Sequence, residues 1–426
     1  MRTVAYALAA ATAAACLVLP GARSEEKPQA PFRYAWATAY HVLPETHNNE
    51  CGYFSLCEGL NGKVYVGTEK SGVNSFLVEF DPQSERQRIV IDTHKVCGLD
   101  ATGFAAQDLI HTRNFVGPSG TIYCGSMKSH RVEGDTVYPG GYVMTYDPAK
   151  DEAQSLGMAR PGASVIDVVA DEARGLIYVA TIGPEHWVLY DVKTKEYRDL
   201  GVTVERFAAT LLDGEGGASV ITKDFRLARY DSATAKVTVR DIMLDGERWD
   251  GSTRGGIPFW QVARDGRTAY LILMSDPTLL QIDLLAEGEA VQSESHGKLI
   301  EGDDPDSRCA ISFGPDGKLY AVVRVNNDTG FGGGMLHHLL RFDPDTGATE
   351  GLGVLAVKNP DFFDFGPDAD GNRPPGSHGY HTLPDGTLTP LHNHLALTVA
   401  ADGTVVVTIL HPFTLLRVPG VAESGV

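Results

Sequence analysis

Short apolar runs separated by polar turns recur along most of the chain. In each repeat a hairpin signal such as Asp-Gly or Asn-Gly joins two apolar runs, and a turn with an aromatic or aliphatic residue before aspartate follows. Asp-Gly between alternating apolar runs is typical of β-hairpins. The pattern therefore predicts β-strands joined by tight turns. The second kind of turn is found at Phe80-Asp81-Pro82, Tyr146-Asp147-Pro148, Tyr190-Asp191, Tyr230-Asp231, Ile282-Asp283 and Phe342-Asp343-Pro344.

The repeats follow one another at a spacing of about 50 residues, which is typical of four-stranded propeller blades with loop insertions. We therefore predict an all-β chain that folds as a single seven-bladed β-propeller. The last blade has only three strand runs, and the run Arg33–Leu43 is expected to supply the fourth and so close the ring. The predicted blades cover 52–93, 111–157, 164–201, 206–242, 258–300, 309–354 and 392–418.

Residues 1–24 have the composition of a secretory signal peptide. Arg2 gives a positive start, an apolar run follows and stops at Pro20, and a cleavage site is predicted before Glu25. The run is too short to span a bilayer. We expect the mature chain, 25–426, to form one propeller domain that is secreted or periplasmic, monomeric, and without a membrane span.

Charge excludes one class of partner. The formal net charge is −19, and a strongly acidic protein is a poor ligand for nucleic acid. An anionic substrate would need a local pocket of positive side chains to overcome the overall repulsion.

The mature chain has an odd number of cysteines, so at least one has no intramolecular partner. Cys51 and Cys57 could pair in an oxidising compartment, although sequence does not fix connectivity. Cys124 and Cys309 lie on strand-like runs, and we expect them to be small buried hydrophobic residues.

Histidines are concentrated near the C-terminus, where the stretch from 378 to 394 also contains Tyr380. His392 and His394 stand on alternate residues at the entry to a predicted strand and should point the same way. Such a pair is a plausible half-site for Ca, Mn or Zn, with His378 or His381 as a third ligand. The alternative is a hydrogen-bonded loop network. No motif for an organic cofactor occurs.

A second pair of histidines lies in one predicted blade. His111 precedes its first strand, and His130 follows its second strand. In a propeller these two loop types emerge on the same face, so the two side chains could flank one ligand. The alternative is a pair of unrelated loop histidines.

Two further groups of polar residues are candidates. The run 45–53, which contains His47, lines the same face or merely links the closing strand to the first blade. The arginines Arg198, Arg254 and Arg324 suit a bidentate grip on a carboxylate, although each alone is commonly a surface residue.

At these residues the chain resembles a group of secreted seven-bladed propeller carbohydrate enzymes, namely ulvan lyases, rhamnose–glucuronate lyases and a related family of α-L-rhamnosidases. The resemblance covers most of the mature chain. It is carried by the number of repeats, by His111-Thr112 at the start of the second blade, by His130 further on, and by Arg198 at the end of the third.

The resemblance implies catalytic roles. In the lyases of the group a pair of histidines and a Tyr/Arg pair surround the uronate, and here His111, His130 and Arg198 match. The tyrosine is replaced by Ile182, and His186 is the nearby substitute. In the rhamnosidases a single histidine near the N-terminus is implicated on the opposite face, which implies His47 or, as the second choice, His41. The candidate substrate-binding residues are Arg254, Tyr380, His378, His381 and His186.

Three functions remain open. The leading hypothesis is cleavage of a uronate-containing glycan by β-elimination, in which cations neutralise the carboxylate, a base removes the C5 proton and an acid protonates the leaving oxygen. The second is hydrolysis of rhamnose linked to glucuronate. The third is a non-catalytic propeller that binds a glycan or a protein, because a fold alone does not fix a function.

Overall fold

The regular secondary structure of the described residues is nearly all β-strand, as predicted. The computed structural model describes residues 28–48, 53–128, 137–253, 255–366 and 379–422, so the predicted signal peptide lies outside the described residues. Within those ranges the only α-helix is the five-residue α1 (Thr93–Cys97), and there are three 3-10 turns, Pro44–Thr46, Gly103–Ala105 and Gly251–Thr253.

The N-terminal half forms antiparallel meanders in chain order, each with its first strand on one edge. In the second of them the first strand is interrupted, because β6 and β7 both pair with β8. The first strand of the chain, β1 (Tyr34–His41), belongs to the C-terminal sheet. The strands of the three N-terminal meanders are β2 (Leu56–Glu58), β3 (Val64–Gly67), β4 (Phe76–Asp81) and β5 (Arg86–Asp92); β6 (Leu109–Ile110), β7 (Phe115–Val116), β8 (Ile122–Met127), β9 (Tyr142–Asp147) and β10 (Glu152–Met158); β11 (Ser164–Asp171), β12 (Leu176–Ile182), β13 (Trp187–Asp191) and β14 (Glu196–Asp199).

Two further meanders share one sheet because their last strands, β18 and β23, pair in parallel. The strands are β15 (Leu211–Leu212), β16 (Gly217–Ile221), β17 (Arg226–Asp231), β18 (Lys236–Leu244) and β19 (Glu247–Arg248), followed by β20 (Pro258–Val262), β21 (Thr268–Leu273), β22 (Asp276–Asp283) and β23 (Ala290–Lys298).

The C-terminal strands form an eight-stranded sheet that includes the first strand of the chain. The strand β1 pairs antiparallel with β32 and parallel with β27. The hairpin of β28 and β29 lies in the segment 355–391, between the sixth and seventh predicted blades, which we call the C-terminal insertion. The strands are β24 (Ile311–Phe313), β25 (Leu319–Asn326), β26 (Met335–Asp343) and β27 (Ala348–Val357), then β28 (Tyr380–Thr382) and β29 (Leu388–Pro390), and finally β30 (His394–Val399), β31 (Val405–Ile409) and β32 (Thr414–Val418).

Alternation along β1 shows how the strands build the core. Ala35, Ala37 and Ala39 face inward and are nearly or fully buried, whereas Trp36 on the opposite face is 41% exposed. This period of two is what a strand with one buried face requires.

The first strands of the meanders converge on a central cavity of about 310 Å³. Residues from each of them line it, and Phe54 lies at its edge. The strands that contribute are β2, β7, β11, β15, β20, β24 and β30.

Candidate functional site

His111 lies in the gap between β6 and β7 and contacts Phe54, which lines the central cavity. Its imidazole is enclosed by aromatic rings: Tyr53 stacks on one side at a centroid distance of 4.8 Å and Phe207 stacks at 4.8 Å, while Phe54 approaches edge-on at 4.6 Å. The side chain is only 4% exposed. A histidine with two parallel aromatic neighbours is fixed in orientation. We call this group the His111 mouth.

The backbone around the His111 mouth is strained. Tyr53, Phe207 and Arg308 have φ values of 51°, 61° and 32°, in the left-handed region that bulky side chains rarely occupy. Each such residue costs on the order of 1–3 kcal/mol and persists only where the surroundings hold it, and such residues concentrate at functional sites. Three of them from three different meanders meet at one side chain or beside it, which marks this region as a candidate site.

Two arginines give the His111 mouth a positive character. Arg206 is exposed and lies over the ring of Phe207 at 5.2 Å, while the guanidinium of Arg308 is paired with Asp306 at 3.0 Å. Burial lowers the pKa of His111 to about 3, and the charges of these two arginines act in the same direction. The imidazole is therefore neutral at ordinary pH, and its Nδ1 has no hydrogen-bond partner among the described residues.

A second group of buried polar side chains lies close to Arg308. The rings of His337 and His394 are perpendicular with centroids 5.3 Å apart, and both side chains are fully buried. Burial lowers the pKa of His394 to about 4; Asp306 opposes this shift, while Arg308 and Arg324 add to it. Because the charge of Arg308 acts on both His111 and His394, the two groups belong to one electrostatic environment.

The two histidines predicted as a metal half-site have different surroundings. His394 is buried against His337, whereas His392 is exposed with its ring 6.2 Å from that of His411. The strand β30 begins only at His394, so the alternation of a strand does not extend back to His392. The described part of the chain contains no group of three or more His, Cys, Asp or Glu side chains placed to hold a metal ion.

The substrate-binding candidates of the C-terminal insertion lie on the hairpin of β28 and β29. Tyr380 is fully buried and packs edge-on against Phe362 and Phe365. His381 is partly buried, and burial lowers its pKa. Tyr380 therefore contributes to the packing of the insertion, while His378 lies outside the described residues.

Other predicted residues are placed apart from the His111 mouth. Arg198 lies on β14, the last strand of its meander, and donates to the hydroxyl of Tyr230 at 2.5 Å. The Nδ1 atom of His186 lies 2.8 Å from a carboxylate oxygen of Asp199. The Nε2 atom of His47 lies 3.0 Å from the carbonyl oxygen of Val42, and the side chain is 6% exposed.

Two more predicted site residues, His130 and Arg254, fall outside the described residues, as do His378 and Cys51. Their predicted roles remain predictions. The expectation that Cys124 and Cys309 are buried is confirmed, since they are 0% and 6% exposed.

Sequence reasoning missed most of the residues around His111. Tyr53 is the last residue of the polar run 45–53. The sequence left open whether this run lines the same face as His111 or only links two strands. Phe207, Arg206 and Arg308 carry no local motif, and they meet His111 only because separate meanders converge on the cavity. Their assembly depends on the tertiary fold.

Comparison with known proteins supports the fold class. No protein-family profile and no curated protein matches the chain. Among solved structures, the β-propeller domain of Cps50 (Swd1) from Myceliophteria thermophila covers 90% of this chain and 99% of its own length, with 11% identity and a TM-score of 0.51. A structural genomics protein of unknown function from Bacteroides thetaiotaomicron VPI-5482 covers 90% of this chain and 76% of its own length, with 10% identity and a TM-score of 0.44.

The likeness to the Cps50 domain shows the fold alone, and that fold is a β-propeller. Within the described ranges, no helix has the length and apolar character needed to cross a membrane.

Proposed function

We propose that the meanders are seven blades of one ring and that β1 closes it. The antiparallel pairing of β1 with β32 supports this arrangement, because it adds a fourth strand to the three formed by β30, β31 and β32. The convergence of the first strands on the central cavity is what a ring of blades requires.

We propose that the protein is a secreted carbohydrate-active enzyme that cleaves a uronate-containing glycan by β-elimination at the His111 mouth. One observation carries the proposal: a neutral, fixed imidazole stands between two aromatic rings, with Arg206 and Arg308 close enough to affect its pKa. In a chain of net charge −19, an anionic ligand needs positive side chains of this kind at its binding site.

The geometry suggests a role for each group. Arg206 and Arg308 neutralise the uronate carboxylate and so stabilise the charge that develops when the C5 proton leaves. That proton passes to the imidazole of His111, whose pKa rises when the bound carboxylate places a negative charge nearby. The bond from C4 to the leaving oxygen breaks as the C4–C5 double bond forms.

A proton must also reach the leaving oxygen. We assign this step to the phenol of Tyr53, which is stacked on His111 at 4.8 Å. The phenolate then recovers a proton from the imidazolium, which restores both groups for another turnover. His130, which the resemblance implies as a partner, remains an alternative donor. Arg198 is bonded to Tyr230 and is not used in this scheme.

The divalent ion expected from the sequence is a separate part of the proposal. The Nδ1 atom of His337 lies 3.2 Å from the carbonyl oxygen of Pro390, so the N–H faces that oxygen and Nε2 presents its lone pair. Neither that atom nor Nε2 of His394 has a hydrogen-bond partner among the described residues. The imidazoles of His337 and His394 therefore fit a metal ion better than the pair His392 and His394, which the sequence predicted. Less than one bound ion per chain in the purified protein, with stability unchanged by a chelator, would refute this part.

The test is ultraviolet absorbance of the mature chain with uronate glycans, including ulvan and rhamnose-capped arabinogalactan. A rise shows the unsaturated product of elimination. His111→Gln should lower the rate by at least about 100-fold, and Tyr53→Phe should lower it while keeping the stacked ring. His296→Gln, on β23 and bonded to Gln281, is the matched control.

Other outcomes would overturn the proposal. Free rhamnose without the absorbance change would show hydrolysis and favour His47. Saturable binding without any product would show a binding propeller. Full elimination activity in His111→Gln would remove this residue from the mechanism.

A further inference from the structure

A buried ion pair lies directly behind the His111 mouth. Arg113 lies between β6 and β7, and Asp167 lies on β11; Nε of the arginine is 3.4 Å from the carboxylate, and the side chain of Asp167 is 2% exposed. The register of β11 shifts between Val165 and Asp167. Both charged side chains line the central cavity.

The guanidinium of Arg113 also contacts groups other than the carboxylate of Asp167. Its Nη1 donates to the carbonyl oxygen of Trp260 at 3.2 Å, and its Nη2 donates to that of Thr210 at 3.4 Å. One side chain therefore links its own meander to three other meanders. Lysine cannot reproduce this, because it lacks the planar fork with donors in fixed directions.

The segment from Ala209 to Thr210 is held from several sides. Asp167 accepts a hydrogen bond from the backbone nitrogen of Thr210 at 2.6 Å. The indole nitrogen of Trp187 donates to Oγ1 of Thr210 at 3.2 Å, and that of Trp260 donates to the carbonyl oxygen of Ala209 at 2.9 Å. This segment begins two residues after Phe207.

Phe207 needs such support. Its φ of 61° is unfavourable for a phenylalanine, and a strained residue keeps its conformation only where its neighbours determine it. The ring must nevertheless lie parallel to His111, since the planes differ by only 14°.

We propose that Arg113 and Asp167 are positioning residues, which hold the segment 207–210 so that Phe207 stays stacked on His111. The pair touches neither the proposed substrate nor the reacting atoms. It acts through the backbone of Thr210, and it sets the orientation of the imidazole that faces the ligand. Its effect on the rate rests on the proposed function, whereas its effect on the geometry does not.

The experiment compares Arg113→Lys with Arg229→Lys. Arg229 forms another buried ion pair, with Asp213 at 2.7 Å, and its side chain is 15% exposed against 18% for Arg113. Each variant removes a guanidinium group that is paired with a buried carboxylate. Of the two arginines, only Arg113 also donates a hydrogen bond to the segment 207–210.

The first readout is the proton NMR shift of the His111 ring at neutral pH, assigned by its loss in His111→Gln. Two stacked aromatic rings should move these protons upfield. Arg113→Lys should shift them back downfield, and Arg229→Lys should leave them in place. Unchanged His111 shifts in a folded Arg113→Lys protein would overturn the proposal.

A second variant covers the case in which Arg113→Lys does not fold. Asp167→Asn keeps an oxygen for the Thr210 N–H but removes the charge that holds Arg113, and the same downfield shift is expected. If the wild type eliminates uronate, kcat should fall by about 100-fold in either variant with a smaller change in KM. If it has no such activity, the NMR shifts still decide whether the pair positions Phe207.

Discussion

The imidazole of His111 and the ring of Phe207 lie face to face, with centroids 4.8 Å apart and planes within 14° of parallel. The two residues come from different meanders, and Phe207 adopts a left-handed backbone conformation to make the contact. Phe207 therefore makes the stack in a backbone conformation that is unfavourable for a phenylalanine. The free-energy cost of this conformation can be measured.

Replacing Phe207 by glycine or by alanine separates the strain from the stack. Both variants lose the ring, but glycine adopts φ of 61° without a steric penalty. We expect Phe207→Gly to be more stable than Phe207→Ala by about 1 kcal/mol. Urea unfolding of the two variants measures the difference. An alanine variant as stable as the glycine variant would show that the backbone relaxes once the ring is removed.

Acid should destabilise the protein partly through His111. The pKa of His111 in the folded protein is about 3, against about 6.5 for a free histidine, so below pH 6.5 the unfolded chain takes up a proton that the folded chain does not. The contribution of His111 to the free energy of unfolding is thus fully present above pH 6.5. Below that value it decreases by about 1.4 kcal/mol for each pH unit.

His111→Gln should therefore show a shallower loss of stability between about pH 6 and pH 4, by roughly 1 kcal/mol per unit. Unfolding free energies from urea titrations at a series of pH values give the two slopes. Parallel curves for the wild type and the variant would contradict the lowered pKa of His111.

The two faces of β1 should differ sharply in their tolerance of charge. Ala37 is fully buried and Trp36 is 41% exposed. Ala37→Lys should cost more than about 4 kcal/mol, because it buries an ammonium group without a partner, whereas Trp36→Lys should cost about 1 kcal/mol. Thermal unfolding ranks the variants. A reversed order would mean that β1 is not packed as a strand of this sheet.

The described cysteines should be unreactive in the folded protein. Burial raises the pKa of Cys97 to about 11 and that of Cys309 to about 12, and it raises the pKa values of Cys57 and Cys124 further. In a mature Cys51→Ser variant, a disulfide reagent at about pH 8 should label no thiol until denaturant is added, because only thiolates react. Rapid labelling of the native variant would contradict the burial of these side chains.

Much of the strand pattern could be predicted from the sequence, because hairpin signals are local. Asn61-Gly62 and Asp316-Gly317 predicted turns, and both glycines have positive φ values, of 71° and 76°. The run Arg33–Leu43 was predicted as a strand, and Tyr34–His41 is one. These features depend on residues that are neighbours in the chain.

The candidate site could be predicted only in part. His111 was identified from its position before a blade, but its aromatic neighbours belong to other meanders and share no spacing with it. His392 and His394 have different surroundings because the strand β30 begins at His394, two residues after His392. Contacts of this kind depend on how strands converge, which periodicity does not encode.

The pairing of β1 with β32 has a consequence for the order of folding. The first strand cannot find its antiparallel partner until the last strand has been made, so this sheet must form late and through contacts of very long sequence separation. Topologies dominated by such contacts fold slowly. Until then β1 and β32 each present an unpaired edge, which other chains could join. The interval between synthesis and this pairing is the time at which the protein is most exposed to aggregation.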